Sequence, residues 1–262
     1  MADKKLGLVL GSGGSRGISH IGFLQALDEN NIKPYCVAGC SMGSVVGGLY
    51  CKGMHPAEMK EIALKLKTLD LMDLAVSPLT NKAFLKTQKL KNILDKYFGN
   101  ITFKELKIPF MCNAFDMNAG ETVYFKEGSV AESVRASSSI PAIFRPLEKG
   151  DRLFIDGGTV NRMPIESVLE MGADVIVAVD VLGELRPTFE DKNLITHILR
   201  MIDAIDWNIT KNKYNQSKID LLIMPELGDM SQYLVKQLDF AYEKGYEAAI
   251  KNIDKIKELL NK

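Results

Sequence analysis

Short apolar runs that stop at turn residues constrain this chain more than any other feature. Leu6–Leu10 ends at Gly11, Tyr35–Gly39 leads into Cys40-Ser41, and Val175–Val181 stops before Leu182-Gly183. Runs of this length without strict polar alternation read as strands buried on both faces. Between them the apolar spacing lengthens to three and four residues. Gly17–Asn30 carries Ile18, Ile21, Leu24, Ala26 and Leu27 at helical spacing, and helices are also predicted over Ser44–Lys52 and Pro56–Lys67, the latter with proline in its first turn. Lys86–Phe98 repeats Leu90, Ile93, Leu94, Tyr97 and Phe98 before Gly99. Ile108–Phe115 and Thr122–Phe125 flank Asp116-Met117-Asn118-Ala119-Gly120, a hairpin pattern. Ser129–Ser137, Ile165–Met171, Asn193–Lys218 and Leu238–Leu260 are the remaining predicted helices, and Arg152–Ile155 and Asp220–Met224 the remaining strands. Strands alternating with helices imply an α/β fold, a mainly parallel sheet with helices on both faces. With no repeat, low-complexity tract or linker, residues 1–262 read as a single domain.

Charge and cysteine content narrow the function classes. Lys plus Arg and Asp plus Glu number 33 each, so no excess charge attracts nucleic acid or an anionic membrane at long range. Cys36, Cys40, Cys51 and Cys112 form no Cys-x-x-Cys pair and read as free thiols in a reducing cytoplasm. Met1 to Gly7 has no apolar leader core, and no run approaches the roughly 18 apolar residues of a membrane span. The expected location is therefore the cytoplasm, with at most peripheral contact at the inner membrane face.

The chemistry concentrates in three segments. Gly39-Cys40-Ser41-Met42-Gly43 fits the G-x-S-x-G nucleophile elbow and stands between a predicted strand and a predicted helix, the context such an elbow needs. Glycines permit a sharp turn, and the helix N-terminus behind the serine favours a developing negative charge. Gly11-Ser12-Gly13-Gly14-Ser15-Arg16-Gly17 lies between the first strand and the first helix, where backbone N–H groups can hold an oxyanion or a phosphate. A dinucleotide-binding loop and an oxyanion hole both fit it. The dinucleotide reading, an NAD(P)-dependent oxidoreductase, is disfavoured. G-x-G-x-x-G is not satisfied, Tyr214 to Lys218 is the sole Tyr-x-x-x-Lys, and the second strand ends in the elbow rather than an acid.

A serine nucleophile needs a base. The histidines are His20, His55 and His197. His197 falls inside a predicted long helix and His20 in the first helix turn, where it is expected to be packed or hydrogen-bonded. No histidine pair has metal-ligand spacing, so no metal is expected. Among the acids, Asp156 ends a strand and precedes Gly157-Gly158, an open setting of the kind where α/β sheets build sites. Asp116 and Asp180 are rivals near strand ends, Asp116 being equally well explained by its hairpin.

In that order, Ser12 to Gly17 with Ser19-His20-Ile21-Gly22, the elbow Gly39 to Gly43, Arg135 to Pro141, and Asp156-Gly157-Gly158 with Asn161 and Pro164 resemble the patatin-like phospholipases, most of all their small bacterial members. The resemblance runs from about Leu6 to Val181; residues 182–262 carry no family signature and read as a helical C-terminal part of the same domain. It implies a three-layer sandwich and a lipid acyl hydrolase of phospholipase or lysophospholipase type that needs no cofactor. Ser41 would be nucleophile and Asp156 base in a Ser–Asp dyad, with an acyl-enzyme intermediate. Gly13 and Gly14 would form the oxyanion hole, and Arg16 would bind a head group or position the loop. A side chain at Gly14 is expected to intrude on the substrate oxygen. Ser12 departs from the family's usual glycine, which a negative φ would permit, and Arg162 stands where asparagine is usual. An acyltransferase, or a weakly active regulatory protein on the same fold, is the alternative.

Overall fold

The computed structural model describes residues 4–66, 81–184, 194–233 and 237–261. Its sheet has the strands β1 (Leu6–Leu10), β2 (Cys36–Gly39), β3 (Phe110–Asp116), β4 (Glu121–Phe125), β5 (Leu147–Lys149), β6 (Arg152–Asp156), β7 (Val175–Val179) and β8 (Leu221–Ile223). They lie in the order β5-β6-β3-β2-β1-β7-β8, with β4 also paired to β3. From β3 to β8 every pairing is parallel. On the other side, β4 and β6 pair antiparallel to β3, and β5 antiparallel to β6.

Alternation along β1 shows why its run is apolar throughout. Leu6, Leu8 and Leu10 join a core with Val37, Val175, Val177 and Val179 under α1 (Ser19–Glu29), α2 (Met42–Lys52), α3 (Pro56–Leu66), α4 (Asn81–Phe98), α5 (Val130–Ser137) and α8 (Leu238–Ile250). Val9 points the other way, with Cys36, Ala38, Ile176 and Ala178, against α6 (Ile165–Glu170) and Tyr214 of α7 (Leu194–Gln216). Period two along a strand and helices on both faces thus give three layers. All four cysteines are unpaired and buried.

Two elements differ from the sequence expectation. Leu147–Lys149 is a strand that was not expected, since three residues pairing only with β6 carry no periodic signal. The expected helix Leu238–Leu260 is two, α8 and α9 (Ile253–Asn261). At the break, Asn252 Nδ2 donates to the Ala248 carbonyl at 2.8 Å while its N–H donates to that of Ala249 at 2.8 Å, local bonds that compete with helix continuation.

The C-terminal residues close against the first βα unit. α8 lies on α1 so tightly that a Cβ on Gly245 would stand 1.8 Å from the Ser19 carbonyl oxygen, and one on Gly22 2.0 Å from that of Tyr242. No helix among the described residues is long and apolar enough to cross a membrane. Gly245→Val is expected to force the two helices apart and cost about 2–3 kcal/mol, measured by urea denaturation; Lys244→Ala, on a neighbouring side chain that is partly exposed, should cost under about 0.5 kcal/mol.

Candidate active site

Only Cys40 and Ser41 separate the end of β2 from the start of α2. So short a link places Ser41 at φ 51°, ψ −121°, a conformation that costs a non-glycine residue about 1–3 kcal/mol. Its neighbours hold it there. The Ser41 N–H donates to Ser137 Oγ at 2.9 Å, and its carbonyl accepts from the N–H of Ser44 at 2.8 Å and of Val45 at 3.1 Å. Gly43 lets the turn press on the adjoining loop, since a Cβ there would lie 2.1 Å from the Leu10 carbonyl oxygen.

Asp156 arrives from the opposite direction. Gly39 is paired with Cys112 on one edge of β3, and Asp156 with Ala114 on an antiparallel neighbour. Two residues beyond Gly39 is Ser41, so serine and carboxylate reach the same level of the sheet. Ser41 Oγ donates to Asp156 Oδ2 at 2.5 Å, and Oδ1 accepts the Gly158 N–H at 2.7 Å. Asp156 is only 4% exposed. Burial raises its pKa from the usual 3.8 to about 7; the bonds from Ser41 and Gly158 pull it down, and the charge of Asp206 adds to the rise.

In the glycine loop, the N–H groups of Gly11, Ser12, Ser15 and Arg16 donate to carbonyls of Val179, Arg162, Gln232 and Gly13 at 2.9–3.0 Å. Those of Gly13 and Gly14 have no acceptor among the described residues. Ser12 is not among the residues with positive φ. Gly14 lines both hollows that meet at Ser41. The expectation that a Gly14 side chain would fill the substrate position is corrected. At φ +50°, its Cβ would strike the Gln232 carbonyl oxygen at 2.2 Å. Arg16 is buried, and its Nε donates to the Val181 carbonyl at 2.6 Å and its guanidinium to those of Gly228 and Met230. These bonds tie the glycine loop to Val181 and to the C-terminal part.

A family model for patatin-like phospholipases matches residues 8–169. This chain belongs to that family. An NTE family protein of Mycobacterium tuberculosis is 34% identical over 70% of this chain and 50% of its own length. A protein named lysophospholipase nte1, from Emericella nidulans, is 32% identical over 69% of this chain and 12% of its own length. The chain thus spans half the length of the mycobacterial relative and far less of the fungal one. Among solved structures, VipD of Legionella pneumophila has a TM-score of 0.57 at 15% identity, over 97% of this chain and 67% of that one. ExoU of Pseudomonas aeruginosa, in complex with SpcU, has a TM-score of 0.51 at 12% identity, over 99% of this chain and 53% of that one. At such identities they support the fold alone.

The rival acids have other partners in this patatin-like chain. Asp116 accepts the N–H groups of Asn118 at 3.0 Å and Leu153 at 3.2 Å, as a turn residue does. Asp180 accepts from Arg162 at 2.8 Å and from the Tyr214 hydroxyl at 2.7 Å. Arg162 also donates to Asp206 at 3.0 Å. Burial works against that guanidinium, but the two carboxylates outweigh it and raise its pKa. Burial likewise lifts Asp206 to about 7, Arg162 opposing and Asp180 adding to the rise. His20 is buried, and its Nε2 donates to the Gly11 carbonyl at 2.8 Å. Burial lowers it to about 4. It braces the glycine loop as a neutral ring. His197 is exposed on α7 and lines neither hollow.

Ser41 stands where two unlike hollows meet. One is an apolar cavity of about 190 Å³, walled by residues such as Met42, Val45, Leu49, Met59 and Leu90. The other, about 40 Å³, holds Asp156 with Asp203, Asp206, Gln232 and Tyr233. Asp203 accepts from Gln232 Nε2 at 2.9 Å and from the Tyr233 hydroxyl at 2.7 Å. These four residues escaped the sequence reading because they lie in the C-terminal part, on α7 and a loop with no motif. Ser137 was within reach, inside the family-like stretch Arg135 to Pro141.

The burial of Asp156 has a consequence for stability. Its folded pKa, about 7, exceeds the usual 3.8, so its contribution is fully present below pH about 4 and is lost as pH rises through about 7. Asp156→Asn keeps the shape without the buried charge. It is expected to stabilise the fold at pH 8 by up to about 4 kcal/mol, with the gain vanishing toward pH about 4. Denaturation of both proteins across that range checks it, and no gain at pH 8 would contradict it.

Proposed function

We propose that this chain is a serine acyl hydrolase acting on carboxylic esters of lipids, with Ser41 as nucleophile and Asp156 as base. The observation that carries the reading is the 2.5 Å bond between Ser41 Oγ and Asp156 Oδ2, placed where an apolar cavity meets a polar hollow. Family membership supports the ester chemistry, and the lysophospholipase name of the fungal relative supports a lipid substrate.

Ser41 Oγ attacks the ester carbonyl carbon while Asp156 Oδ2 accepts the hydroxyl proton. The carbonyl oxygen becomes an oxyanion held by the N–H groups of Gly13 and Gly14, each such donor being worth about 2.7–4 kcal/mol. The C–O bond to the alcohol then breaks, the alcohol leaves with the proton from Asp156, and the acyl group remains on Ser41. Water loses a proton to Asp156 as it attacks the acyl carbon, and collapse returns the proton to Ser41 and frees the acid. Burial of Asp156 is part of this reading. A carboxylate at its usual 3.8 is a feeble base, and one raised to about 7 accepts a serine proton more readily at neutral pH. No cofactor enters. The chain acts as one domain in the cytoplasm, meeting lipid at most peripherally; the four unpaired thiols support the compartment.

Fluorophosphonate labelling and hydrolysis of a lysophospholipid and a p-nitrophenyl ester test the reading. Ser41→Ala is expected to abolish labelling and lower turnover by at least about 10³-fold, Asp156→Asn to lower turnover strongly while folded, and His197→Ala to change it little. The wild-type rate should rise with pH through about 7, because only ionised Asp156 accepts the proton. Hydrolysis that survives Ser41→Ala overturns the assignment. Labelling without turnover on any ester points instead to a regulatory protein, and acyl transfer to an added alcohol in preference to water to an acyltransferase.

A further inference from the structure

Resting on the reading above, we propose that Leu94 ends the acyl-chain cavity and sets the chain length this enzyme prefers. The cavity starts at Ser41 and follows α2 through Met42, Val45 and Val46 to Leu49. Eight residues of helix span about 12 Å, so an acyl chain attached at Ser41 has about that depth in which to lie. Its other walls come from α3, α4, Ile18, Ile21, Ile140, Phe144 and Leu238 and are almost wholly apolar, so each methylene placed there leaves water without losing a polar contact.

α4 closes the far end. A Cβ on Gly48 of α2 would lie 3.1 Å from the Phe98 ring, which places the end of α4 beside the second turn of α2. Leu94 stands one helical turn before Phe98 and is 3% exposed. Beyond it lies a second hollow of about 700 Å³, lined by Thr87, Lys91, Asp95, Glu132, Arg135 and Arg145 among others. Leu94 lines both hollows. On one side of its side chain the lining is hydrocarbon, and on the other it carries several charged side chains. An acyl chain long enough to reach Leu94 must therefore stop, bend back, or push its last methylenes among ions. The gain per added carbon disappears at that point.

Kinetics on p-nitrophenyl esters, from butyrate to palmitate, read this directly. For the wild type, kcat/KM is expected to rise by up to about fourfold per methylene and then break off at a definite length. Leu94→Ala should move the break about two to three carbons longer, matching the atoms removed, and Leu94→Phe should move it shorter. Leu94→Phe keeps the test available if the alanine variant does not fold. Lys91→Ala, on the charged side of the partition, should leave the break in place. Ser41-dependent hydrolysis whose break is unmoved in Leu94→Ala or Leu94→Phe, or a wild type with no break, overturns this inference and leaves the role of Ser41 standing. Hydrolysis indifferent to Ser41→Ala overturns the underlying reading instead.

Discussion

A carboxyl group kept out of water, 2.5 Å from a serine hydroxyl, is the constraint on which the rest of this molecule depends. Burial by itself would drive Asp156 to hold its proton. Two hydrogen bonds, from Ser41 and from the Gly158 N–H, oppose that tendency and leave the group poised near neutrality. Such a balance requires fixed geometry on both sides. On the serine side it is enforced by a strained backbone and a bond from Ser137. On the acid side it comes from the register of β6 on β3.

That register explains an architectural feature that would otherwise look incidental. The sheet is parallel from β3 to β8, and its departure from that pattern lies on the side that supplies Asp156. A parallel strand in β6's place would carry its C-terminal residue to the same end as the elbow, but after a long crossover. The antiparallel strand instead meets β3 at Ala114, level with the serine. The C-terminal part then completes the surroundings: Arg162 is shared by the buried carboxylates of Asp180 and Asp206. The latter, on α7, lines the polar hollow beside Asp156. The charge of Asp206, when ionised, adds to the rise that burial gives the Asp156 pKa.

Much of this was legible before any coordinates. Leu6–Leu10 and Val175–Val179 are apolar on both faces because helices cover both faces, and a buried strand of a parallel sheet must read that way. The Gly39 to Gly43 turn was legible because so sharp a strand-to-helix link leaves no room for a Cβ at either glycine, a requirement written in residue types. Asp156 was legible through the glycines after it and through the family resemblance. Less visible was the break at Asn252, where one side chain's bond to the Ala248 carbonyl decides between one helix and two. Asp203, Asp206, Gln232 and Tyr233 were invisible as site residues, since α7 shows only helical periodicity and nothing about what its polar side faces.

The sequence by itself determined the layered α/β architecture and the sharp turn that carries Ser41, because both rest on local rules of spacing and backbone freedom; among three strand-end acids it singled out Asp156 only with the help of the family resemblance. Only the tertiary structure decided which groups share the site. Arg16 could bind a head group or position the loop as far as the sequence goes, and the structure shows its bonds to the carbonyls of Val181, Gly228 and Met230. Gly14 looks as though it clears room for substrate, and its Cβ would in fact meet Gln232. Leu94 looks like one more apolar helix residue, and its place between two hollows gives it a boundary to define. The physical reason is the same in all three. A residue type limits the contacts a side chain can make, while packing between segments up to some 220 positions apart determines which it does make.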